Sequence, residues 1–221
     1  MAKKIFISPS DQFENTYAAG NTNEGEQMGL LAEKLAPILQ RCGFEVKIVH
    51  QARLATKCYQ SDVWGADLHL PLHSNAFNGT VTGTRVMCMR IAEGELGYEY
   101  SKKIFKQLDA VTPGTSSNIS AQPQLYEIHD PHAPTVYVEV DFHDVPRVAN
   151  WIVHNIDVIA DAIARGVCDC FGVQFVEGGT PGNAEIYRVQ VGAFKNRDYA
   201  EAMKEKLIAA GYPAFVVKTN Q

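Results

Sequence analysis

The chain has 221 residues, 46% of them hydrophobic and 20% charged, the composition of an ordinary soluble globular protein. Twenty basic residues against 25 acidic ones leave a net charge of −5, which argues against an electrostatic grip on nucleic acid or an anionic membrane. No apolar run approaches the roughly 18 residues of a membrane span, and Met1-Ala2-Lys3-Lys4 leads into an apolar patch too short for a secretory signal.

The first expected element is a strand over residues 4–8, where Ile5, Phe6 and Ile7 follow two lysines. A helix follows over residues 23–41, with Met28, Leu31, Leu35 and Ile38 on one stripe. Residues 45–50 read as a strand, residues 67–73 alternate, and residues 83–90 are strand-like. A second helix covers residues 96–108, and residues 135–140 form a β-branched strand. Residues 145–170 read as one long helix, with Val148, Ile152, Ile156, Ile159 and Ile163 at three- and four-residue steps. Strands alternating with helices imply an α/β fold: a mostly parallel twisted sheet covered by helices on both faces.

Gly, Pro and small polar residues then dominate residues 176–184, the composition of a flexible linker. The expected organisation is a domain over residues 1–175, this linker, and a small module over residues 185–221. The module reads as a βαβ unit: a strand over 186–194, a helix over 198–210 ended by Gly211, and a strand over 214–217. Such a unit has bare strand edges, which a second copy could complete as a homodimer. The five cysteines, Cys42, Cys58, Cys88, Cys168 and Cys170, show no CxxC spacing. They are expected to be idle thiols made in a reducing cytosol rather than the ligands of a structural zinc.

Three residues at expected strand or helix ends could carry chemistry, since open α/β sheets place their sites there. Glu24 opens the first long helix; Asn23 and Glu26 fit a capping box, which leaves Glu24 free to face a cation. His73 stands at the exit of the 67–73 strand, before Ser74 and Asn75. His69 shares its parity but lies roughly 13 Å away along an extended strand, too far to share a metal unless the chain bends at Pro71. Glu139 sits within Val136-Tyr137-Val138-Glu139-Val140, where a carboxylate is costly unless paired or used. Burial there would raise its pKa toward that of a general base, and Asp141 has the same parity. His143 could orient Glu139 or contact substrate, and His129 beside Asp130-Pro131 could line a cleft.

Together these segments resemble the zinc-dependent N-acetylmuramoyl-L-alanine amidases, the amidase_3 family of cell-wall hydrolases, autolysins and phage endolysins. That family shows an N-terminal strand, an Asn-Glu opening a helix, a strand ending in His-x-Asn-Ala, and a late Val-Glu-x-x-Phe strand before a final helix. All four appear in order over residues 4–172. The resemblance implies a phosphorylase/hydrolase-like α/β fold and cleavage of the amide between N-acetylmuramic acid and L-alanine. It also implies Zn2+ held by Glu24 and His73, with Glu139 as the acid/base; Asn75, His129 and His143 are expected to face substrate. The family's Gly-His after the first strand is missing, and no histidine precedes His50. A catalytic zinc needs about three protein ligands, so Glu14 or Asp11 is expected to fill the place.

The run Tyr187-Arg188-Val189-Gln190-Val191-Gly192-Ala193-Phe194 is similar to the SPOR (sporulation-related) repeat, which binds peptidoglycan, and it points to Gln190 and Phe194 as wall contacts. The expected partner is therefore peptidoglycan, with no role for nucleic acid or membrane. Without a secretory signal, the chain is expected to be made in the cytoplasm and to reach the wall through lysis or a holin. Two other readings share these residues: a wall-binding protein with a degenerate metal site, and a zinc peptidase acting on the stem peptide.

Overall fold

A computed structural model describes residues 2–178 and 191–209. The chain divides into two compact units, residues 1–178 and 179–221. In the first, β1 (Lys4–Pro9) leads to α1 (Glu24–Arg41), β2 (Glu45–Ile48), α2 (Leu54–Trp64) and β3 (Leu68–Asn75). Next come β4 (Arg85–Cys88), α3 (Leu96–Asp109), β5 (Asn118–Ala121), α4 (Tyr126–His129) and β6 (Tyr137–Phe142). Helices α5 (Pro146–His154) and α6 (Ile156–Phe171) close the unit.

The strands form one sheet in the order β2-β1-β3-β6-β4-β5. β2, β1, β3 and β6 run parallel; β4 is antiparallel to β6 and parallel to β5. The expected α/β architecture with a mostly parallel sheet is the one observed. Ile5, Phe6 and Ile7 are all fully buried, as a central parallel strand requires, and alternate residues serve different faces. Ile5 and Ile7 join the main apolar core with Leu31 and Leu35 of α1 and Ile159 and Ile163 of α6. Phe6 points the other way, stacked on His69 at 5.2 Å and tilted against Trp64 of α2 at 6.4 Å.

Two differences from the sequence reading have local causes. The single helix expected over 145–170 is two, broken at Asn155, whose backbone leaves the helical region at φ −128° and ψ 24°. Its side-chain amide donates to the Trp151 carbonyl at 2.7 Å, the local bond by which Asn competes with helix continuation. The apolar steps run unbroken through the bend, since Ile152, Ile156 and Ile159 are all buried, so periodicity cannot reveal it. α2 was invisible for the opposite reason: it exposes Leu54, Tyr59 and Val63 and buries Lys57, Cys58 and Ser61. The short α4 and β5 also carry no pattern long enough to read.

In the second unit, α7 (Arg197–Ala209) matches the expected helix. Of the strand expected over 186–194, Val191–Phe194 have no regular structure, and the rest lies outside the described residues, as does the strand over 214–217. Among the described residues, no helix is long and apolar enough to cross a membrane.

α3 and α6 meet at Gly166, where a Cβ would lie 2.5 Å from the Ile104 Cα. Gly166→Ala improves helix propensity but forces the two backbones apart. Thermal or urea unfolding is expected to show a net loss of about 1–3 kcal/mol.

Candidate active site

The chain leaves β1 toward β2 on one side, while β3 lies on the other. This switch of direction is where open α/β sheets form clefts at the carboxyl ends of their strands. The segment after β1 wraps over the start of α1. The Glu24 N–H donates to the Asn15 carbonyl at 2.9 Å and the Gly25 N–H to the Gln12 carbonyl at 3.2 Å, so the loop satisfies amides that a helix start leaves open. Phe13 lies over Gly25, where a Cβ would sit 2.8 Å from the ring. Asn23 caps the helix, its Oδ1 accepting from the Glu26 N–H at 2.9 Å. The reciprocal half of the expected capping box is absent, because the Glu26 carboxylate accepts from the Thr22 hydroxyl instead.

That wrapping places Glu24 inside the protein, 1% exposed. Its Oε1 lies 2.8 Å from His73 Nδ1, and its Oε2 accepts from Asn15 Nδ2 at 2.9 Å. The Gln12 amide reaches the same His73 nitrogen at 3.3 Å and is itself held by Asn15 at 2.8 Å. Tyr137 stacks on the His73 ring with centroids 4.6 Å apart. On the neighbouring strand, Glu139 pairs in register with His73. The Glu139 Oε2 is sealed from water and has no hydrogen-bond partner.

The electrostatics separate the two glutamates. Burial pushes Glu139 up to about 7, with His73 pulling it down and Glu24 pushing it further up. Burial also disfavours charge on Glu24, but the hydrogen bonds from His73, Asn15 and Ser10 outweigh it and hold the carboxyl below its usual value. Burial would lower His73, yet the bond to Glu24 and the charges of Glu139 and Glu24 raise it. One carboxylate is therefore an ion-pair partner, and the other is poised to exchange a proton near neutrality.

Of the three expected metal ligands, Glu24 and His73 are brought together and Glu14 is not: it is exposed, with no side-chain partner. Asp11 turns away, accepting from the Gln51 N–H at 2.7 Å and pairing with Lys57 at 2.8 Å and His50 at 3.1 Å. Asn75 ends β3 and caps the next residue, accepting from the Ala76 N–H. His143 is buried, 2.8 Å from the Ser74 hydroxyl and stacked on Tyr17 at 4.8 Å, so it braces the wrapping loop. His129 is exposed at the end of α4, where its Nδ1 donates to the Leu125 carbonyl. Asp141 is structural, accepting from the N–H groups of Gly83 at 2.6 Å and Phe142 at 2.8 Å. Phe194 is partly exposed in the second unit, and Gln190 lies outside the described residues.

A cleft of about 370 Å³ opens beside the pair, lined by Gln12, Lys57, His73, Tyr126, Glu127 and Tyr137 among others. Gln12, Lys57, Glu127 and Tyr137 were not anticipated. Tyr137 alone had a sequence signal, standing two residues before Glu139 on the same face.

Residues 8–169 match the family model described as N-acetylmuramoyl-L-alanine amidase, and residues 183–221 match that of the SPOR domain. No curated protein matched the chain. Among solved structures, the catalytic domain of CwlV, an N-acetylmuramoyl-L-alanine amidase from Bacillus (Paenibacillus) polymyxa var. colistinus, superposes with a TM-score of 0.70 at 16% identity, covering 78% of this chain and 99% of that one. An N-acetylmuramoyl-L-alanine amidase from Clostridium difficile 630 gives 0.68 at 18%, covering 77% and 97%. The catalytic domain of the CD27L endolysin, which targets Clostridia difficile, gives 0.64 at 24%, covering 76% and 97%. At these identities the likeness is one of fold.

The loop carrying Gln12 depends on a buried cation. Lys57 is 1% exposed; its Nζ donates to the Pro9 carbonyl at 2.7 Å and pairs with Asp11. Lys57→Met would leave Asp11 without that cation, for an expected loss of about 3 kcal/mol, the low end for a broken buried pair because Asp11 is a quarter exposed. Lys3→Met breaks only the surface pair with Asp67 and should cost below about 1 kcal/mol. Urea unfolding of the two variants side by side checks the contrast.

Proposed function

We propose that this chain, which belongs to the N-acetylmuramoyl-L-alanine amidase family and is a peptidoglycan amide hydrolase, works with one zinc ion held by Glu24 and His73 and with Glu139 as its proton carrier. The observation that carries this reading is the buried Glu24–His73 contact with the unpartnered Glu139 carboxylate on the adjacent strand. A carboxylate and an imidazole converging at 2.8 Å suit zinc in donor type. A third protein donor would come from the loop at residues 11–15, where Gln12 already touches His73 Nδ1. When bound, zinc supplies Lewis-acid polarisation of the amide carbonyl and lowers the pKa of water.

The chain's own residues do the rest. Glu139, poised at about 7, takes the proton of the attacking water and returns it to the departing amine of L-alanine. Its Oε2 has no hydrogen-bond partner and is uncommitted to any other group. Tyr137 fixes the His73 ring by stacking, and Asn15 orients Glu24 and Gln12 together. The cleft beside them admits the lactyl-alanine segment of the wall polymer.

Glu139→Gln keeps size and shape but removes the proton carrier. Metal content should remain and the release of peptide from soluble muropeptides, followed by mass spectrometry, should fall about 10²-fold or more. Loss of metal in that variant would make Glu139 a ligand instead. His73→Ala should lose the ion held at Glu24 and His73 together with turnover, and full activity in it would overturn the site.

The second unit is proposed to tether the enzyme to its polymer, supported by the SPOR match over residues 183–221. A chain ending at residue 178 should cleave soluble muropeptides at an unchanged rate but degrade insoluble sacculi more slowly, because tethering raises effective concentration. Light scattering on both chains tests whether the unit works as a dimer. Equal sedimentation with sacculi would remove the tethering role.

A further inference from the structure

Beneath the wall of the cleft, three side chains of metal-binding type meet away from Glu24 and His73. Cys58 on α2, His69 on β3 and Glu127 on α4 each present a donor atom, all within 4.8 Å of one another. All three residues are buried. We propose that this cluster binds a zinc ion of its own, which fastens α2 and the segment before β6 to the central sheet.

The donor set is the first argument. A thiol, an imidazole and a carboxylate are the three side-chain types that zinc takes in proteins. The second is that the cluster is poorly satisfied as a hydrogen-bond network. His69 is fully buried, its Nδ1 has no partner, and its Nε2 meets Glu127 only at 3.3 Å, the long end of the range. A buried imidazole with an open nitrogen costs free energy, so the ring is not committed to a complete hydrogen-bond network.

Asp130, exposed at the C-terminal end of α4, bears on the Cys58 thiol, which burial first and the charges of Glu127 and Asp130 next push up to about 12. Supporting contacts are also in place. The Ser8 hydroxyl donates to Glu127, and the Lys57 charge bears on the same carboxylate, an outer layer of the kind that orients zinc ligands.

The location gives the ion a task. Between β5 and β6 the chain has only the four residues of α4 as regular structure, yet Tyr126 and Glu127 line the cleft. A further tie to α2 is the His132 N–H donating to Asp62 at 2.8 Å. A bond from metal to Cys58 would add a second fastening between the same two segments. Cys58, expected from the sequence to be idle, becomes the one sulfur in the ligand set.

The test titrates the metal-free full chain with cobalt(II) and then zinc. A thiolate-to-cobalt charge-transfer band in the near ultraviolet separates this site from Glu24 and His73, which offer no sulfur, and Cys58→Val separates it from the other four cysteines. The intact chain should bind two equivalents and show the band. Cys58→Val should bind one and lose the band, Glu127→Gln should weaken the band-forming step about tenfold or more, and His73→Ala should keep the band. Should the Cys58 variant fail to fold, zinc must still slow alkylation of Cys58 in the intact chain, mapped by peptide mass. Absence of the band at saturating cobalt, a band that survives Cys58→Val, or zinc-independent alkylation of Cys58 would each overturn the proposal. Two equivalents retained in His73→Ala, with the band intact, would instead count against the ion at Glu24 and His73.

Discussion

Everything at the candidate site depends on taking one carboxylate and one imidazole out of water together. Either group alone would be an uncompensated charge or an unpaired dipole in the interior. Together, at 2.8 Å, Glu24 and His73 satisfy each other, and the surroundings keep them in place. α1 must begin where it does for Glu24 to point inward, which requires the Asn23 cap and the carbonyls of Gln12 and Asn15. β3 must end where it does for His73 to meet it, which requires the pairing of β3 between β1 and β6. The same placement sets Glu139 beside the pair, where burial raises its proton affinity and the His73 charge limits the rise.

The parts of this arrangement that were legible in the sequence share one property: they violate a local pattern. Glu139 is a carboxylate among valines, His73 interrupts an apolar strand at its exit, and Glu24 follows a strong cap signal. Such residues stand out because placing a polar group there is expensive without a use. The strands and the long helices were legible for the complementary reason, since Ile5, Leu31, Ile159 and their neighbours obey the two periods of a buried sheet and its covering helices.

What could not be read carries no such signature. Gln12 is an exposed amide in a loop, ordinary until folding carries it to His73. Lys57 and Cys58 lie on a helix that buries its polar side and exposes its apolar one, so the usual stripe points the wrong way. Glu127 belongs to a four-residue helix, too short for any period. The break at Asn155 lies inside an unbroken apolar repeat, and only the side-chain bond to Trp151 reveals it. Each of these depends on contacts between residues far apart in the chain, which no local window contains.

The position of β6 in the sheet has a consequence for how the molecule comes into being. It is the last of the six strands along the chain, yet it lies between β3 and β4. Until it emerges from the ribosome, those two strands have no partner for their facing edges, and the half-made sheet exposes unpaired backbone to other chains. Insertion of β6 closes both edges at once and delivers Glu139 in the same event. An unfinished chain is therefore incompletely folded and lacks the carboxylate paired beside His73. For a wall hydrolase that coupling matters, because a fragment left by interrupted synthesis has an unfinished sheet and an unfinished candidate site together.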